Sequence, residues 1–220
     1  MRLLAIDTSA SHCAVCVLDD AAGTAHRDVR NIGTGHAEVL MGQIDGVLEQ
    51  AHLTWSNLDR IAVCVGPGSF TGVRVGVSAA RGFALALGIP AVGVTTLEAI
   101  AADAAPLAGG RPILSAIDAR RGQVYVQPFD DAGNATADPR VVPVEQALAM
   151  VQSDTVVAGN GAALLGAEGA VLADAASGDI GTVARLAAAR APGAAPVPLY
   201  LRSADAKPQT GFALPRAEQA

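Results

Sequence analysis

The sequence predicts an α/β protein built from two related lobes, the second smaller than the first. Three observations carry this expectation. Short apolar strand signals alternate with longer segments of helical period. Both halves open on a strand, a turn and a returning strand, as a duplicated unit would. The hydrophobic fraction is 51% over 220 residues with only 3% aromatics, so small side chains must fill the core, and the length suits one large or two small domains.

The first half reads β-β-β-α-β-α-β-α. Leu3–Asp7 is an apolar strand ending in polar Asp-Thr-Ser. Ser11–Leu18 is a second strand and Thr24–Arg30 a third, polar enough for an edge. A helix follows over Thr34–Ala51, with Val39, Leu40, Ile44, Val47, Leu48 and Ala51 at helical spacing. Ile61–Val65 and Ala91–Val94 are short strands on either side of a second helix. Thr95 with Glu98 three residues on forms a capping box that starts a third helix. The second half opens with strand Pro112–Ile117, turn Asp118–Gly122 and strand Gln123–Phe129. Beyond the polar loop 130–139, helix, strand and helix are expected over Val144–Met150, Thr155–Ala158 and Asn160–Leu165. A helix over Ile180–Arg190 and a strand over Leu199–Arg202 follow. The Ala/Gly/Pro-rich stretch Ala104–Pro112 marks the boundary, giving lobes 1–103 and 104–220.

Charge and cysteine usage narrow the function. A net charge of −6 argues against a chain that binds nucleic acid through its own cationic face. The N-terminus enters a strand pattern at once and does not read as a signal peptide. The apolar run Phe83–Val94 is too short to span a bilayer, so the expected compartment is the cytoplasm. Cys13 and Cys16 form a C-x-x-C, but residues three apart on a strand point to opposite faces, and the pair cannot grip one ion. Cys64 reads as a buried thiol.

The most informative stretch is Gly66–Gly88, GPGSFTGVRVGVSAARGFALALG. It has no lysine and is not a Walker A loop, and Thr71 stands where a G-x-G-x-x-G motif needs its third glycine. Gly72, Gly76, Ala80, Ala84 and Gly88 recur every four residues, a nearly bare ridge. Glycine inside a helix costs about 1 kcal/mol relative to alanine, so another backbone should approach closely there. That backbone could belong to the lobe's own sheet or to a partner subunit.

LAIDTSASHCAVCV, GPGSFTGVRVGVSAARGFALALGIPAVGVTTLEA, AIDARRGQVYV and PLYLRSAD, in this order, resemble the TsaB (YeaZ) family across nearly the whole chain. The resemblance implies a duplicated actin-like, chaperone-ATPase-like fold with a reduced second lobe. It also implies a non-catalytic partner of the TsaD transferase, in the complex that adds a threonylcarbamoyl group to the adenosine beside the anticodon of tRNAs reading codons that begin with A. The family joins TsaD, or a second copy of itself, through its first two helices. That assigns the Gly/Ala ridge to the partner interface, with His36, Val39, Leu40, Gln43, Phe70, Gly72, Val73, Gly76, Val77 and Ala80 expected on it. A bulky residue at Gly76 is then expected to abolish association and leave the fold intact. TsaE is a further expected partner, and tRNA is met only through the complex.

No catalytic residue, metal or cofactor of its own is expected. ATP and a metal ion belong to the partner subunits. The transferase relative holds its metal with two histidines four residues apart, whereas here His36 is followed four residues on by Leu40. By position in the fold, Asp7, Thr8 and Ser9, with Asp118, Ala119 and Arg120, are vestigial turns that would face a nucleotide's phosphates. They can equally cap tight turns. A stand-alone actin-fold ATPase or phosphotransferase is the alternative. A metalloprotease is disfavoured because H-E-x-x-H is missing.

Overall fold

The first strand, β1 (Arg2–Asp7), is buried at every position from Leu3 to Asp7. A strand buried on both faces needs helices on both sides of its sheet, and that is the architecture found. The computed structural model of the chain describes residues 1–202. Residues 203–220, which include the end of PLYLRSAD and of the expected second lobe, lie outside the described residues. β1 pairs antiparallel with β2 (His12–Asp19) and parallel with β4 (Arg60–Cys64). With β3 (Thr24–Asn31) and β5 (Ala91–Val94), the sheet order is β3-β2-β1-β4-β5. β3 is the largely exposed edge its polar sequence predicts.

Helices α1 (His36–Gln50) and α2 (Phe70–Leu87) cover one face. There Leu4, Ile6, Val15 and Val63 meet Ile44, Val47, Val73 and Val77. The other face, with Leu3, Ala5, Cys16 and Val92, packs on Ala99 of α3 (Thr96–Ala108) and on Val183, Ala184 and Ala187. Cys13 belongs to the first cluster and Cys16 to the second, so the C-x-x-C points to opposite faces, as strand geometry requires. The capping box forms: Glu98 N–H donates to Thr95 Oγ1 at 3.1 Å and Thr95 N–H to Glu98 Oε2 at 2.8 Å.

The second sheet comprises β6 (Ile113–Arg120), β7 (Gln123–Phe129), β8 (Arg140–Pro143) and β9 (Val156–Ala158), in the order β8-β7-β6-β9. Its antiparallel trio followed by a parallel strand repeats the first sheet with the fifth strand missing. This is the duplicated, actin-like scheme with a reduced second lobe. Between β8 and β9 lies the short helix α4 (Val144–Leu148).

Several sequence expectations need adjusting. The boundary at 103/104 falls inside α3, which carries Ala99 against the first sheet and Ile100, Ala104 and Ala108 against the second. Helix α5 (Ile180–Ala189) comes from the second half yet packs on β1 and β2. Arg60 fastens it, donating from Nη1 to the carbonyls of Ala187 at 2.6 Å and Arg190 at 2.7 Å. Asn160–Ala163 is a 3-10 turn, too short for a helix. Residues 199–202 form no strand, although Leu199 N–H reaches Val65 O at 2.8 Å. β8 was not foreseen, because four residues ending in proline carry little strand signal.

The largest correction concerns the ridge. Gly72, Val73, Gly76, Val77, Ala80 and Ala84 are the buried residues of α2. A Cβ on Gly72 would run into the Thr8 carbonyl oxygen, and one on Gly76 would lie 2.5 Å from Thr8 Oγ1. The backbone that comes close is β1's own end, so these positions are not available to a partner. A bulky residue at Gly76 would therefore damage the fold itself. Gly82, on the outer side of α2, has nothing within 4 Å of such a Cβ. Among the described residues no helix is long and apolar enough to cross a membrane.

Candidate functional site

The turn after β1 is where this fold would meet a nucleotide's phosphates. Here it is sealed. Asp7, Thr8 and Ser9 are only 3%, 1% and 1% exposed. Asp7 Oδ1 accepts the Ser9 N–H at 2.7 Å, and Thr8 Oγ1 donates to Gly72 O at 2.7 Å. Ser69 N–H donates to Ser9 O at 2.7 Å, while Ser69 Oγ caps α2 by accepting Gly72 N–H at 3.3 Å. Gly68 lies so near Ser9 that a Cβ would strike the Ser9 carbonyl oxygen. Behind them, Cys64 Sγ lies 3.2 Å from Thr96 Oγ1 and 3.7 Å from Ser9 Oγ. The glycine-rich turn thus closes over its own strand end.

Burial pushes the Asp7 carboxyl above the ordinary carboxylate range, and hydrogen bonds from Ser9 only partly offset it. An actin-like fold implies a nucleotide and its magnesium ion at this turn. The residues present do not fit that pair: a dry carboxyl, hydrogen-bonded within its own turn, offers no oxygen to a hydrated cation.

The turn after β6 is more open. Arg120 N–H donates to Asp118 Oδ1 at 2.6 Å, and Asp118 N–H donates to Asn160 Oδ1 at 2.9 Å. Arg120, Arg121 and Gly122 all take positive φ, and the Arg120 side chain is 84% exposed over Asp118. Arg202 donates to Ala119 O at 3.0 Å and to Gln123 Oε1 at 2.5 Å, pinning the hairpin from outside. Asp118 thus closes a tight turn through its side chain.

The surface that remains open lies between α1 and α2. An apolar groove of about 510 Å³ runs between them, with Leu40 and Met41 on one wall and Phe70, Arg74, Val75, Ala79 and Phe83 on the other. Met41 is 46% and Phe70 52% exposed, an unusual pair of large apolar side chains to leave open on one groove. Trp55 braces the wall, its ring 4.8 Å from that of Phe83.

The expected interface residues divide accordingly. Phe70 is exposed on the groove and Leu40 lines it, whereas Val39 is half-buried against the first core cluster and does not line the groove. His36 is buried, its Nε2 3.0 Å from Ala10 O, which ties the start of α1 to the β1–β2 turn. Gln43 is fully buried and donates to Cys13 O at 3.1 Å. Gly72, Val73, Gly76, Val77 and Ala80 face the sheet. The groove lies between the two helices that the resemblance names, but the open face of α2 is opposite the Gly/Ala ridge. Arg74, Val75, Ala79 and Phe83 were missed, although Val75, Ala79 and Phe83 also recur every four residues, three positions on from the ridge. Among the described residues no three His, Cys, Asp or Glu side chains gather as a metal site would need.

Fold and site together define a two-lobed actin-like α/β protein whose first-lobe strand end is closed and whose outer helix pair carries an open apolar groove. The family model described as TsaD, tRNA N6-adenosine threonylcarbamoyltransferase, matches residues 30–189. The chain is 37% identical over 125 residues to the tRNA threonylcarbamoyladenosine biosynthesis protein TsaB of Escherichia coli K12, covering 57% of this chain and 53% of that one. An uncharacterised protein of Mycobacterium tuberculosis is 39% identical over 178 residues, covering 79% and 78%. The solved structure of YeaZ from Pseudomonas aeruginosa superposes with a TM-score of 0.74 at 30% identity, covering 86% of this chain and 92% of that one. The chain belongs to the TsaB (YeaZ) family. It spans about half the length of the TsaB-named relatives it matches.

Proposed function

We propose that this chain is an accessory subunit without chemistry of its own. It docks onto a TsaD-type transferase through the α1–α2 groove. The assembly moves threonylcarbamoyl from its adenylate to the adenosine beside the anticodon of tRNAs reading codons that begin with A. The observation that carries the reading is the groove itself: large apolar side chains stand open on the outer helix pair, while Asp7 is sealed where a phosphotransferase would need it. Met41 and Phe70 are already about half-buried, so covering the rest would contribute about 0.7–1.5 kcal/mol each. In this reading ATP and the metal ion sit on the partner subunits, and a TsaE homologue joins the same assembly. A second copy covers the groove when the chain is alone. With a net charge of −6, the chain leaves the cationic surface for tRNA to its partners.

The test is co-purification with the TsaD homologue of the same organism, with threonylcarbamoyl transfer to tRNA as the second readout. Ser78→Arg places a large cation on the groove wall and should abolish both. Leu85→Glu, at an 85% exposed position outside the groove lining, should change neither. Undisturbed association of the Ser78→Arg variant, or steady ATP hydrolysis by the chain alone, would refute the proposal.

A further inference from the structure

Among the described residues Arg74 is the one charged side chain lining the groove, and two aromatic side chains hold it. Its guanidinium lies 3.8 Å above the Phe70 ring. Its Nε donates to the Tyr200 hydroxyl at 2.7 Å. The Tyr200 ring stacks at a tilt against Phe70, with centroids 5.2 Å apart. Tyr200 is fixed in turn because Leu199, one residue before it, bonds Val65 O. Among the described residues no carboxylate pairs with Arg74. Only Nε is engaged by Tyr200, which leaves the two Nη groups of this groove-lining side chain as a fork.

A planar fork matches a carboxylate through two parallel hydrogen bonds, and fixing it beforehand removes ordering cost from the binding step. A partner that covered the groove with apolar atoms alone would strand a desolvated charge. Resting on the docking reading above, we infer that the groove selects a partner helix whose apolar face carries one Asp or Glu aimed at Arg74. Arg74 is the specificity determinant, and Tyr200 is a positioning residue that acts through it. The occupant is the transferase subunit's docking helix, and the ion pair is what distinguishes it from any other apolar surface.

The test is calorimetric titration of the full chain with the TsaD homologue, both free of nucleotide, at two salt concentrations. Arg74→Gln should weaken binding by about 30-fold or more and remove most of the salt dependence. Tyr200→Phe should weaken it by about 3- to 10-fold in the parent and by almost nothing when Arg74 is already Gln, the signature of a shared interaction. Arg74→Glu should be rescued by exchanging one acidic residue on the partner's first two helices for Arg. Trp55 fluorescence verifies that each variant is folded. If Ser78→Arg abolishes binding but Arg74→Gln stays within about twofold of the parent, this inference falls and the docking reading stands. If Ser78→Arg has no effect either, the docking reading falls as well. Failure of every acidic exchange to restore Arg74→Glu overturns the inference. So does a loss seen only with ADP added, only in self-association or only in tRNA retention, because the fork would then hold a phosphate or a second copy.

Discussion

Three glycines on α2 should respond to the same substitution with different signs. Alanine at a free helix position gains about 1 kcal/mol over glycine. At Gly82 nothing lies within 4 Å of the added Cβ, so Gly82→Ala should realise that gain. At Gly76 the Cβ arrives 2.5 Å from Thr8 Oγ1, inside the 3.0 Å limit that real Cβ atoms keep. Thr8 cannot simply rotate away, because its hydroxyl donates to Gly72 O at 2.7 Å and the residue is 1% exposed. At Gly72 the obstacle is the Thr8 carbonyl, which is backbone. Overpacking of this kind costs about 1–3 kcal/mol, and more where backbone must move. After the propensity gain, Gly76→Ala should lose about 1 kcal/mol and Gly72→Ala about 2 kcal/mol or more. The assay is urea unfolding followed by the single tryptophan, Trp55, whose ring packs at a tilt against Phe83 of α2. With a slope of about 2 kcal/mol per molar urea, Gly82→Ala should raise the midpoint by roughly 0.5 M and Gly72→Ala lower it by roughly 1 M. Equal midpoints for Gly72→Ala and the parent would refute the inward ridge and restore the interface assignment.

Two further outcomes test the burial of ionisable side chains. The folded chain holds the Asp7 proton to higher pH than the unfolded chain does; the stability this lends is complete below about pH 4 and fades as pH climbs through the folded value. Asp7→Asn keeps an acceptor for Ser9 N–H and never ionises, so its urea midpoint should match the parent near pH 4 and exceed it at pH 7; a constant offset at both would contradict the assignment. Burial pushes Cys13 and Cys16 up to about 11 and Cys64 up to about 12. A thiol-specific disulfide reagent at pH 8 should therefore find none of the three in the folded chain and all three in urea; rapid reaction of one in the folded state would mean that its core is open.

Much of the fold was legible because local signals agreed with it. Thr95 and Glu98 announced their helix, and polar Thr24–Arg30 announced an edge strand. Both halves displayed the strand, turn and strand that open each sheet. What periodicity cannot say is what a face looks at. The Gly72–Gly76–Ala80 row was visible as a bare ridge, but only the path of β1 shows that Thr8 fills it. The groove on the other side was equally periodic through Val75, Ala79 and Phe83, yet a small apolar row beside a larger one looks like more core. Tyr200 and Arg74 are 126 residues apart in sequence, and no local pattern links them. The return of α5 to the first sheet was hidden for the same reason.

That return has a bearing on how the chain is made. Until α5 is made, the polypeptide carries a β1–β5 sheet sheathed by helices on one side, while on the other Leu3, Ala5, Cys16 and Val92 have only α3, around Ala99, to cover them. The rest of the cover emerges only with Ile180–Ala189, so a fragment ending near residue 110 would present half-covered, sticky β-structure to its neighbours, and the ribosome must extrude nearly the whole described chain before those strands are dry.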